Sequence, residues 1–70
     1  MNNPADYTIT IQRLLEGEHV YRASVKELPH LFEYGDTPME VYDLAIVSIQ
    51  SLQYAAAEEG RDFPPPQIDL

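Results

Sequence analysis

Seventy residues carrying twelve Asp and Glu against four Lys and Arg give this chain a formal charge of −8, and it has no cysteine. That length admits one domain at most, excludes disulfides, and leaves a marginal core, because so short a chain buries only roughly 60% of its unfolded surface on folding. The acidity repels phosphate, so direct nucleic-acid binding is not expected; no apolar run approaches the ~20 residues of a membrane span and Met1–Asp6 is not a signal peptide, so the expected compartment is the cytoplasm.

Residues 1–6 read as a flexible terminus. From Tyr7 to Arg13 the chain alternates, with Tyr7, Ile9 and Ile11 on one face and Thr8, Thr10 and Gln12 on the other, the pattern of a half-buried strand. Glu16-Gly17-Glu18 supplies a hairpin turn. His19 to Lys26 alternate again, turning Tyr21, Ala23 and Val25 inward and Arg22, Ser24 and Lys26 outward. Glu27-Leu28-Pro29-His30 interrupts the run, since Pro29 has no N–H for a central ladder. Leu31 to Tyr34 form a short third strand that ends at Gly35.

Gly35-Asp36-Thr37-Pro38-Met39-Glu40 marks the passage from strand to helix. Thr37 suits the N-cap, and Pro38 falls at the first helical position, where its missing N–H costs nothing. Glu40 is placed to close a capping box onto the Thr37 N–H. Asp36 and Glu40 both set negative charge at the positive end of the helix, while Gly35 lets the chain leave the strand without a Cβ clash. The helix is expected from Pro38 to about Glu59, with Gly60 as its C-cap.

At 100° per residue Val41, Ala45, Ile49, Leu52 and Ala56 share one stripe, the expected core face. With the strands this gives a predicted core of Ile9, Ile11, Ala23, Val25, Val41, Ala45, Ile49 and Leu52. Leu44, Val47, Ser51 and Tyr54 form a second, smaller stripe near the polar side. Scattered surface hydrophobes need no explanation. A chain with neither disulfide nor metal to support a small core is nevertheless expected to oligomerise, and this stripe is the candidate oligomer or partner interface. Beyond the helix, Pro64-Pro65-Pro66 read as a stiff spacer returning the chain across the sheet, with a docking ligand for an aromatic-lined groove as the lesser alternative, and Gln67-Ile68-Asp69-Leu70 as a short fourth strand. Residues 63–70 are thus a Pro-rich C-terminal segment of a single domain spanning 1–70. The predicted class is α+β: a three-stranded antiparallel meander, one long helix packed on it, and a short last strand.

Chemistry is sparse. His19 and His30 lie eleven apart without thiolate partners, which does not match zinc-ligand spacing. Neither a glycine-rich phosphate loop nor a nucleophilic triad is recognisable. Near neighbours among twelve carboxylates are unavoidable and give no case for acid–base catalysis. No catalytic, cofactor or metal site is predicted. An acidic chain does attract a basic partner and speeds the encounter.

The ordered set Tyr21-Arg22-Ala23-Ser24-Val25-Lys26-Glu27-Leu28-Pro29, Gly35-Asp36-Thr37-Pro38-Met39-Glu40, Gly60 and Pro64-Pro65-Pro66 resembles the HicB-like antitoxin family over about residues 7–66. His30-Leu31 departs from the Gly-Cys or Gly-Val that family members usually show after Leu-Pro. The resemblance implies a partial RNase H-like β-β-β-α-β fold, often dimeric or higher, and a non-enzymatic role. It implies a partner too: a small basic HicA-like toxin that degrades mRNA and is blocked by occlusion. The C-terminal DNA-binding module of many such antitoxins has no counterpart in these 70 residues, so operator binding is not expected of them. The alternative reading is a stand-alone oligomeric adaptor of the same fold without a toxin.

Overall fold

The computed structural model of the chain describes residues 1–68. Three strands, β1 (Ile9–Arg13), β2 (Tyr21–Val25) and β3 (Leu28–Gly35), precede one helix, α1 (Pro38–Glu58). The sheet is antiparallel in the order β1-β2-β3, an open meander with α1 packed across one face. This is the predicted α+β arrangement.

Local chemistry accounts for both helix ends. Thr37 is the N-cap in extended conformation, and its Oγ1 accepts from the Glu40 N–H at 3.1 Å. Pro38 occupies the first helical position. The reciprocal half of the predicted capping box is not formed. The Glu40 carboxylate instead lies over Gly35, its Oε1 2.6 Å from where a Cβ on Gly35 would sit, with Val41 Cγ1 at 3.1 Å. A side chain at Gly35 would displace the Glu40 carboxylate and press on Val41, so glycine lets the helix start lie close to the sheet without that rearrangement. At the other end Gly60 takes φ +67°, the Arg61 N–H donates to Ala56 O at 2.8 Å and the Gly60 N–H to Ala57 O at 3.2 Å. Those two bonds define a Schellman cap.

The core joins Tyr7, Ala23, Val25 and Leu31 of the sheet side to Val41, Ala45 and Ile49 of α1, with Ile9, Tyr21, Leu28 and Phe63 packed against it. Two predicted core residues are corrected. Ile11 is 38% exposed because α1 lies mainly over β2 and β3, and β1 is an edge strand whose far end the helix does not cover. Leu52 is 42% exposed and is replaced in the inner stripe by Gln53. At that level the helix faces the N-terminal turn, and the buried Gln53 amide donates to the Asn2 carbonyl at 2.8 Å. A polar side chain with a partner is stable there.

The chain termini also depart from expectation. Residues 1–6, predicted as a flexible terminus, contain a 3-10 turn at Pro4–Asp6, capped by Asn3 Oδ1 accepting from the Ala5 N–H at 2.9 Å. After the helix the Phe63 ring meets Tyr7 edge-on at 6.1 Å, and the Tyr7 hydroxyl donates to Pro64 O at 2.5 Å. Burial pushes the Tyr7 hydroxyl above its ordinary 10.0, with the nearby Glu27 carboxylate acting in the same direction, so it remains a donor. The predicted fourth strand is not formed by Gln67 and Ile68; Asp69 and Leu70 lie outside the described residues. The third strand is longer than predicted and includes Pro29. It tolerates the proline because β3 is an edge, and because Pro29 lies in a bulge. Ser24 pairs with Phe32 and the next residue, Val25, with Leu28, so Pro29, His30 and Leu31 loop out of register.

Candidate functional site

The outer side of α1 carries every residue of the predicted interface stripe. Leu44, Val47, Ser51 and Tyr54 are all exposed, Val47 at 56% and Tyr54 at 65%. At helical spacing Glu40 and Glu58 fall in the same line, one at each end, and Asp43 flanks it. The helix contains neither Lys nor Arg. Met39, Glu40, Asp43, Leu44 and Val47 border a shallow depression at its N-terminal end. The stripe is thus an apolar strip about 15 Å long from Leu44 to Tyr54 at 1.5 Å per residue, bounded by carboxylates in water. Such a surface suits an apolar patch ringed by cations.

Sequence reasoning did not locate a second feature. The bulge in β3 leaves an open groove of about 600 Å³ between it and α1, lined by Leu28, Pro29, His30, Leu31, Leu52 and Pro64 among others. Its wall is braced by Ser48 Oγ donating to Glu33 Oε2 at 2.5 Å. Pro29 was the only local signal for it, and a proline alone does not reveal a bulge three residues wide.

Glu27 was also missed as a structural centre. It is buried, and its carboxylate accepts from the Thr8 N–H at 3.0 and 3.2 Å, the Thr8 hydroxyl at 3.2 Å and the Gln67 N–H at 2.7 Å. Burial opposes its ionisation, but the bonds from Gln67, its own N–H and Thr8 outweigh that and hold its carboxyl below the ordinary 4.5. The group clasps the start of β1 and the C-terminal segment to the β2–β3 turn. Its acceptor sites are turned inward to backbone, as befits a structural carboxylate.

The remaining predicted residues have simple positions. Gly35 is buried under Glu40 and Val41, Asp36 is exposed before the cap, and Thr37, Pro38 and Glu40 form the helix start. His19 and His30 are exposed, and the His19 ring centre lies 6.1 Å from that of Tyr34. Among the described residues no group of three or more His, Cys, Asp or Glu is placed to hold a metal ion, and no helix is long and apolar enough to cross a membrane. Comparison with family models, curated proteins and solved structures finds no match for the chain.

Proposed function

We propose that this chain is a non-enzymatic binding protein that docks a small basic protein on the outer stripe of its helix. The observation that carries this reading is the Leu44–Val47–Ser51–Tyr54 strip, exposed and edged by Glu40, Asp43 and Glu58 on a helix with no cation. Apolar contact would supply affinity, and the surrounding carboxylates together with the −8 charge would steer and orient the encounter. The resemblance to HicB-like antitoxins supplies the partner's class: a HicA-like mRNA-degrading toxin, held inactive by occlusion in the cytoplasm. Self-association into a dimer or higher oligomer belongs to the same reading, because one small sheet and one helix bury little surface alone.

The test is capture with the tagged full chain at low salt, followed by assay of what is captured. A small basic protein is expected at stoichiometric level, cleaving RNA alone and losing that activity when the purified chain is added back. Association should slow as ionic strength rises and the Debye length falls to about 8 Å at 0.15 M. Recovery of the chain by itself would contradict the toxin reading and favour the stand-alone adaptor. A captured basic protein with no RNA cleavage would retain the binding role and remove the antitoxin assignment.

A further inference from the structure

Charge is divided between the two layers of this molecule. The helix layer carries Glu40, Asp43 and Glu58 and no cation. The opposite surface is the bare face of the sheet, where the strand register sets Gln12, Arg22 and Tyr34 in one row and Thr10, Ser24 and Phe32 in the next. None of the twelve carboxylates belongs to those rows. The one acidic residue within the strands, Glu33, points to the helix side, where it is bonded to Ser48. Phe32 and Tyr34 are exposed. The Arg22 guanidinium lies 5.3 Å from the Phe32 ring centre and donates to Gln12 Oε1 at 2.8 Å, so the cation is held against the aromatic surface. Lys26 continues the same alternation in the adjoining turn and is exposed. A bare face on an antiparallel sheet is ordinary. An aromatic, cationic face set opposite an apolar, acidic one is a specific complementarity.

We propose that the two faces are made for each other across copies: the Arg22–Phe32–Tyr34 face of one copy docks on the Leu44–Val47–Tyr54 stripe of a second. The occupant is a second copy because the helix stripe calls for an apolar surface bearing cations, and this chain carries one itself. Sheet-to-sheet pairing would bring cationic faces together. Helix-to-helix pairing would oppose two sets of carboxylates, in a chain already at −8. Only the crossed arrangement joins opposite charges while covering apolar surface on both sides. It also gives the bare sheet a helix on its second face. Such a contact is head-to-tail, leaving one unused face at each end, so copies extend into a filament or close into a ring. The inference shares the helix stripe with the proposed function but does not require a basic partner; where one exists, it competes with the next copy for that stripe.

The test uses the purified full chain and two blocking variants: Tyr34→Asp on the sheet face and Val47→Asp on the helix stripe. Both sites are exposed, and thermal melts establish that the variants fold; if Tyr34→Asp does not, Arg22→Glu replaces it. Sedimentation velocity of the wild type should show species that grow with concentration and shrink with added salt. Each variant alone should be a monomer near 8.0 kDa, and an equal mixture should form a 1:1 heterodimer of twice that mass, because each supplies the face that the other lacks. A mixture that stays monomeric overturns the proposal. So does either variant still dimerising alone, which would reveal a two-fold contact through its unblocked face. The failure is distinguishable from that of the proposed function: a monomeric wild type that still captures a basic protein removes this inference and the self-association, and leaves the docking of the basic partner standing.

Discussion

The two sides of α1 are both apolar, yet they meet different fates. On the inner side Val41, Ala45, Ile49 and Ala56 are buried on the sheet and the N-terminal turn. On the outer side Leu44, Val47 and Tyr54 stand in water between carboxylates. The comparison separates two uses of hydrophobicity at one spacing. The inner stripe is satisfied by the chain's own sheet and should answer to stability measurements. The outer stripe has no intramolecular partner among the described residues and should answer to binding measurements.

The largest effect should come from breaking the inner side. Ile49 is fully buried, and Ile49→Ala should lower unfolding free energy by roughly 2–5 kcal/mol in a urea titration. A chain of this size has little stability to lose, so a largely unfolded variant at 25 °C is within that expectation. A cost near zero would mean that α1 does not pack as described.

Glu27 comes next. Glu27→Ala removes the acceptor for Thr8 and Gln67 and should cost about 2 kcal/mol. The carboxyl is held below its ordinary 4.5 in the folded chain, so its contribution is complete above that pH and is lost as pH falls through the lower folded value. Melting temperature should therefore fall with acid below about pH 4.5, and the fall should be shallower in Glu27→Gln. An identical acid slope in the two proteins would remove Glu27 from that role.

The cap is smaller. Thr37→Ala should cost about 1 kcal/mol through loss of the bond to the Glu40 N–H. The smallest expected effect on stability is on the outer stripe, where Tyr54→Asp should stay within about 0.5 kcal/mol of wild type while weakening association. Equal destabilisation by Tyr54→Asp and Ile49→Ala would erase the contrast between the two sides.

Much of this fold was legible because it rests on local rules. Alternation located the first two strands, the breaks at Pro29 and Gly35 bracketed a shorter version of the third, and the Gly35-to-Glu40 run set the helix start to the residue. The outer stripe was legible for the same reason, since helical periodicity needs no tertiary information. The errors fall where the answer depends on what lies across the gap. Ile11 alternates perfectly but sits on an edge strand that the helix barely reaches. Leu52 has the better periodicity and Gln53 the buried position, because the surface beneath that turn is the N-terminal segment with its Asn2 carbonyl. The Glu27 clasp joins residues 19 and 40 positions away in sequence. No local pattern encodes such pairings. Nor does one encode the cation-bearing sheet face, which exists only once Arg22 and Phe32 are brought together by strand register.

The central claim is that the outer side of α1 is a binding surface rather than an incidental exposure of apolar residues. The most direct measurement is parallel capture with wild type, Tyr54→Asp and Val47→Asp at low salt, with each protein's melting temperature recorded. The account predicts that all three are folded alike and that only the wild type retains a small basic protein. Equal retention by the folded variants would contradict it.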